Sequence, residues 1–131
     1  MKELPPYALF LGIRLEQRDG ELLHVMPFSD NVLGRPGFLH GGAIAGLLEF
    51  AAFGALYAAL GNEQVRVKPV NVTVQYMRGG IDHDTFATGL VTRLGKRVAN
   101  IEAHAWQRDR AKPIASAQLN MMLRRSEVGS D

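Results

Sequence analysis

From Gly42 to Leu60 the chain reads GAIAGLLEFAAFGALYAAL, nineteen residues without proline and closed by Gly61-Asn62. Such a run predicts one helix. Its apolar residues cover every face, and a helix that is hydrophobic all round is buried, either in a protein core or in a bilayer. Nineteen residues would just span a membrane. Glu49 sits near the middle, where insertion scales put the cost of a carboxylate at about 2.5–3.5 kcal/mol. The membrane reading also leaves the rest of the chain unexplained.

That remainder alternates with the period of strands. The segments Val65 to Met77, Thr85 to Leu94, Val98 to Arg108 and Ile114 to Arg124 place Val70, Val72, Val74 and Tyr76 on one face. Ala99, Ile101, Ala103 and Ala105 share another, as do Ala115, Ala117, Leu119, Met121 and Leu123. Upstream, Ile13 to Gln17 and Leu22 to Met26 flank Arg18-Asp19-Gly20-Glu21, and Asp-Gly between apolar runs signals a hairpin. The loop Pro27 to Leu39 is dense in turn formers, which predicts no regular structure there, and loops of that length tend to carry function. The fold class is therefore α+β, an antiparallel sheet of about six strands wrapped around one long apolar helix. With 131 residues, 47% of them hydrophobic, residues 1–131 suffice for a single domain.

There is no cysteine, which excludes disulfides, thiol nucleophiles and thiolate metal sites, and suits a reducing compartment. Met1-Lys2-Glu3-Leu4-Pro5-Pro6 lacks a charged leader before an apolar run, so no signal peptide and a cytoplasmic location are expected. A net charge of +2, from 15 basic and 13 acidic residues, is too small to imply nucleic acid. Local basic clusters at Lys96-Arg97, at Arg108, Arg110 and Lys112, and at Arg124-Arg125 suit either a phosphorylated small ligand or solvated turns.

Glu49 demands an explanation, because burying an unpaired charge is costly. A structural role would have it pair across an oligomer interface or reach a gap in the sheet. A catalytic role gains weight from the start of the helix. Gly41 and Gly42 lie where the first amides of a helix are unpaired, and without side chains they admit a ligand oxygen. A carbonyl placed there is polarised by an amide and the helix dipole. Glu49 is seven residues past Gly42, about 10 Å at 1.5 Å per residue, too far to share one reacting centre within a subunit. Two such helices side by side would close that gap.

The segment Leu39-His40-Gly41-Gly42-Ala43-Ile44-Ala45-Gly46-Leu47-Leu48-Glu49-Phe50-Ala51 resembles the signature of the hotdog-fold acyl-CoA thioesterases, particularly their PaaI-like (phenylacetate-degradation) branch. There an HGG opens the central helix and an Asp or Glu follows nine positions after the His, as Glu49 follows His40. The resemblance extends over hairpin, loop, helix and strands. It implies that Glu49 is the general base or the nucleophile, that the Gly41 or Gly42 amide holds the thioester carbonyl, and that Asn31 positions the carbonyl or water. His40 is a candidate acid or base, but its place at the mouth of the helix suits it better to fixing the loop by side-chain hydrogen bonds. Gly95-Lys96-Arg97 would pass the pantetheine arm and meet the CoA phosphates, with Arg93 and Arg124 further candidates. No separate cofactor is implied, since CoA is part of the substrate, and the family builds homodimers, often paired into tetramers, with sites between subunits.

Two other functions share parts of this pattern. A hotdog 3-hydroxyacyl thioester dehydratase would echo Pro36-Gly37-Phe38-Leu39 and Glu49, but that family places a His before the PG, where Ser29-Asp30-Asn31 stands here. A non-catalytic acyl-CoA-binding module would have no need of Glu49. His24, His83 and His104 have neither i, i+4 pairing nor thiolate partners, so no metal site is expected.

Overall fold

The computed structural model describes residues 4–125. A short helix α1 (Pro6–Phe10) precedes the hairpin of β1 (Arg14–Arg18) and β2 (Glu21–Met26). The long helix α2 (Gly41–Leu60) follows, then β3 (Val65–Tyr76), β4 (Thr85–Leu94), β5 (Val98–Trp106) and β6 (Ala115–Arg125). The six strands form one antiparallel sheet in the order β1-β2-β4-β5-β6-β3. At the first hairpin Asp19 (φ 52°) and Gly20 (φ 78°) are both left-handed, the pairing that matches the twist of a two-residue turn.

The inward faces of β5 and β6 are those the alternation predicts: Ala99, Ile101, Ala103 and Ala105, and Ala115, Ala117, Leu119, Met121 and Leu123, are all buried. Their predominance of alanine lets α2 lie close to the sheet. The approach is tightest at Gly89 on β4, where an added Cβ would stand 2.6 Å from the Ala51 carbonyl oxygen and 2.9 Å from the Ala55 Cβ.

Three expectations need correction. The alternation predicts Val70 on the face of Val72, Val74 and Tyr76, but the register of β3 against β6 shifts between Pro69 and Asn71. Proline has no N–H to give the ladder, and the bulge reverses the parity of this edge strand. Val65 and Val67 face inward before it, Val72 and Val74 after it, and Val70 is left exposed. The Pro27 to Leu39 loop is not without regular structure either. A 3-10 turn at Asp30–Val32 buries Val32 completely, and Leu33 bridges Leu39, because one apolar anchor and local amide bonds (Gly34 to the Phe38 carbonyl at 2.9 Å) suffice to fold the segment. Finally, α2 is not buried all round. Ala43, Ile44, Leu47, Leu48, Ala51, Ala52, Leu56 and Leu60 are buried, while Ala45, Gly46, Glu49, Phe50 and Phe53 are half-buried on the far side. A sheet can wrap only one side of a cylinder; α1 crosses part of the other, with Tyr7 and Leu11 against Gly46.

Candidate active site

His40 caps α2. Its Nδ1 accepts the Gly42 amide at 2.9 Å, which puts the proton of the neutral ring on Nε2, and its own carbonyl accepts the amides of Ala43 and Ile44. The backbone around it is pinned to neighbouring segments, with His40 N–H donating to the Val32 carbonyl at 2.8 Å and Leu39 N–H to the Gly80 carbonyl at 3.0 Å. This revises the expectation of two open amides. Gly42 is engaged by the ring, whereas the Gly41 amide meets no acceptor among the described residues.

The two glycines differ in another respect. A Cβ on Gly42 would stand 3.0 Å from the His40 Nδ1, so a side chain there crowds the cap and the ring must give way. On Gly41 it would meet only the Tyr76 ring, at an ordinary contact distance of 3.5 Å. Nothing within the described chain requires glycine at 41. The bare position instead leaves an open amide approachable from outside, at the positive end of a 20-residue helix. The carbonyl of Gly41 accepts the Tyr76 hydroxyl at 2.9 Å.

Glu49 lies on the same helix, half-buried, with no hydrogen bond or ion pair among the described residues. It is the only charged residue of α2. The side of the helix it occupies also carries Gly46, Phe50 and Phe53, with Tyr7 6.2 Å from Phe50 between ring centres. Along the axis Glu49 is about 12 Å from Gly41. Asn31 donates its Nδ2 to the Phe10 carbonyl at 3.0 Å, tying the 3-10 turn to α1 and leaving its Oδ1 as an acceptor.

The β4–β5 turn stands elsewhere. Gly95 donates to the Val98 carbonyl at 2.9 Å, and a Cβ there would come within 2.8 Å of that oxygen, so the tight turn needs glycine. Arg125, which the sequence reading grouped only with the basic clusters, laces the turn: its guanidinium donates to the carbonyls of Lys96 at 3.2 Å and Gly95 at 3.1 Å, and it pairs with Glu63. The side chains of Arg93, Lys96, Arg97 and Arg124 are exposed and unpaired among the described residues. Arg124 faces Arg66 across the β3–β6 ladder, which adds a cation the sequence did not single out. β3 starts beside Arg125, the partner of Val65, and ends at Tyr76 against Gly41. The turn and the helix mouth are thus separated by the length of that strand, about 35 Å.

Tyr76 was missed as a site residue because nothing local marks it; only the path of β3 brings its hydroxyl to Gly41. The histidines away from the mouth form no metal cluster among the described residues. His24 is buried against Gly54 with its Nδ1 unpartnered, and burial pushes its pKa down to about 4. Burial, and then the Arg110 guanidinium, lower that of His104, which stacks on Trp106.

Comparison with known proteins bears on the fold and the family. A mutant thioesterase from Pseudomonas aeruginosa is 27% identical, with a TM-score of 0.81 over 92% of this chain and 86% of that one. A Bacillus halodurans protein solved with CoA is 19% identical and shares the fold, with a TM-score of 0.84 over 97% and 83% of the two chains. So does a phenylacetic acid degradation-related protein from Ralstonia eutropha, at 21% identity and a TM-score of 0.79 over 92% of each chain. A search of curated proteins finds no match. The thioesterase superfamily profile matches residues 36–114, from the loop before the HGG through α2 and β5 to the residue before β6, so this hotdog-fold chain belongs to the thioesterase superfamily and thioester hydrolysis is its class of chemistry.

Proposed function

We propose that this chain hydrolyses acyl-CoA thioesters in the cytoplasm, releasing the free acid and CoA. The observation that carries the reading is Glu49, a carboxylate with no partner among the described residues, on a half-buried helix face otherwise without charge and on the helix whose first amide meets no acceptor among those residues. In the reaction the thioester carbonyl sits at the Gly41 amide, which stabilises the oxyanion as it develops. Glu49 takes a proton from a water that adds to the carbonyl carbon, or adds to that carbon itself to give an anhydride that water then hydrolyses; in either case the C–S bond breaks and the CoA thiolate leaves. Asn31 holds water or carbonyl, and His40 keeps the mouth in shape.

About 12 Å separates the two groups along one helix, so the site needs two copies side by side, with the Gly41 amide of one chain facing the partner subunit's Glu49. A homodimer, itself able to pair into a tetramer, is therefore part of the proposal. The CoA phosphates lie against Lys96 and Arg97 at the Gly95 turn of the subunit that supplies Glu49, with Arg93 and Arg124 beside them, since the same turn of the chain that supplies Gly41 is about 35 Å from the carbonyl; that a neighbour of the same fold was solved with CoA supports a CoA-type substrate. Incubation with a panel of acyl-CoAs and a thiol-detecting reagent tests the reading. Release of free thiol is expected with at least one member. No thiol from any acyl chain, or a change in unsaturation with the thioester intact, would overturn it.

A further inference from the structure

We infer that Tyr76 is a positioning residue for thioester hydrolysis, setting the peptide plane next to the carbonyl-binding amide; the inference rests on the functional reading above. Three groups form a chain of bonds. The Tyr76 hydroxyl donates to the Gly41 carbonyl at 2.9 Å, and the N–H of that same peptide unit, on Gly42, donates to the His40 Nδ1 at 2.9 Å. One peptide plane is held at both ends, from the edge strand β3 and from the capping ring. A hydroxyl donating to a carbonyl polarises the peptide and strengthens its N–H as a donor, so the two bonds reinforce one another.

The consequences reach both groups that face a substrate. The open Gly41 amide lies in the preceding His40–Gly41 plane, whose carbonyl accepts the amides of Ala43 and Ile44; fixing the Gly41–Gly42 plane as well restrains rotation between the two planes about the Gly41 Cα. Holding the Gly42 amide on Nδ1 keeps the His40 proton on Nε2, so the exposed edge of the ring is a donor. The Tyr76 ring lies 3.5 Å from the place a Gly41 Cβ would occupy, flanking the amide without covering it. Tyr76 is 55% exposed, so burial is not what holds it there. Its hydroxyl bond to Gly41 is what ties the end of β3 to the start of α2.

Tyr76→Phe keeps the ring contact and removes only the hydroxyl. The expected result is a kcat about tenfold lower, less than the 10²–10³ lost with a direct oxyanion donor, while KM stays within about twofold and the melting temperature within a few degrees. A double-mutant cycle adds a readout that a purely structural brace would not move. In a His40→Ala background the far end of the bond chain is already gone, so Tyr76→Phe should lower kcat less than twofold. Unchanged kcat in the single variant, a full tenfold loss repeated in the His40→Ala background, or a loss of kcat accounted for by unfolding would each overturn the inference. If Glu49→Gln abolishes turnover and Tyr76→Phe does not lower it, only this inference fails; if neither changes turnover, the proposed function fails with it.

Discussion

Replacing Glu49 by Gln removes a charge and almost nothing else. The side chain makes no hydrogen bond or ion pair among the described residues, so no partner is orphaned, and Gln matches Glu in shape and in helix propensity. Half-buried beside Phe50 and Phe53, the carboxylate is partly desolvated without compensation, and the neutral amide relieves that penalty. Stability should therefore stay within about 0.5 kcal/mol or rise. Catalysis should not survive. Loss of positioned proton transfer lowers kcat by about 10²–10⁴, equivalent to about 3–5 kcal/mol of transition-state stabilisation, and loss of a nucleophile costs more. Steady-state thiol release, read with the thermal melt and a CoA-binding isotherm on the same sample, checks all three statements. A folded variant with near wild-type turnover would refute the catalytic assignment, and an unfolded one would make Glu49 a structural residue.

The paired glycines should separate in the same assays: Gly41→Ala meets only ordinary contact with Tyr76, so it should lower kcat/KM at least tenfold with little change in melting temperature, whereas Gly42→Ala crowds the His40 cap and should lose about 1 kcal/mol of stability. The reverse ranking would place the open amide wrongly. Lys96→Ala and Arg97→Ala should raise KM for acyl-CoA and weaken its salt dependence at nearly constant kcat, because phosphate contacts bind ground and transition states alike; unchanged KM in both would move the CoA site. His24 predicts a pH dependence of folding: its folded pKa of about 4 lies below the ordinary 6.5, so the unfolded chain takes up the proton first. Stability is thus complete above pH 6.5 and falls toward pH 4, by about 3 kcal/mol. Urea titrations across that window should show the slope, with a smaller part of the same sign from His104, and His24→Leu should flatten most of it; an unchanged slope would refute the assignment.

Elements with a strong period were legible in the sequence. The inward rows of β5 and β6, the Asp19-Gly20 turn and the extent of α2 follow from alternation, from left-handed turn chemistry and from an unbroken apolar run. What escaped depended on contacts between distant segments. The parity change at Pro69 matters only against β6, α1 is too short for a periodic signal, and Tyr76 reaches Gly41 across 35 positions of sequence. The site was legible in part for the same reason. The residue types and spacing of His40, Gly41, Gly42 and Glu49 are local and visible, but which amide stays open depends on the rotamer of His40, and no spacing encodes that.

The two edges of the sheet are finished differently. β1 is five residues long, and Arg14, Glu16 and Arg18 form ion pairs along it, a short charged border that discourages an added strand. β3 is twelve residues long and, past Pro69, runs Val70 to Tyr76 without a charge. A second copy that joined at β3 would leave a β1 at each outer margin of the enlarged sheet. Strand addition would then have one place to begin and none from which to continue, so self-association through this sheet would close at a pair instead of propagating into filaments, however concentrated the protein became.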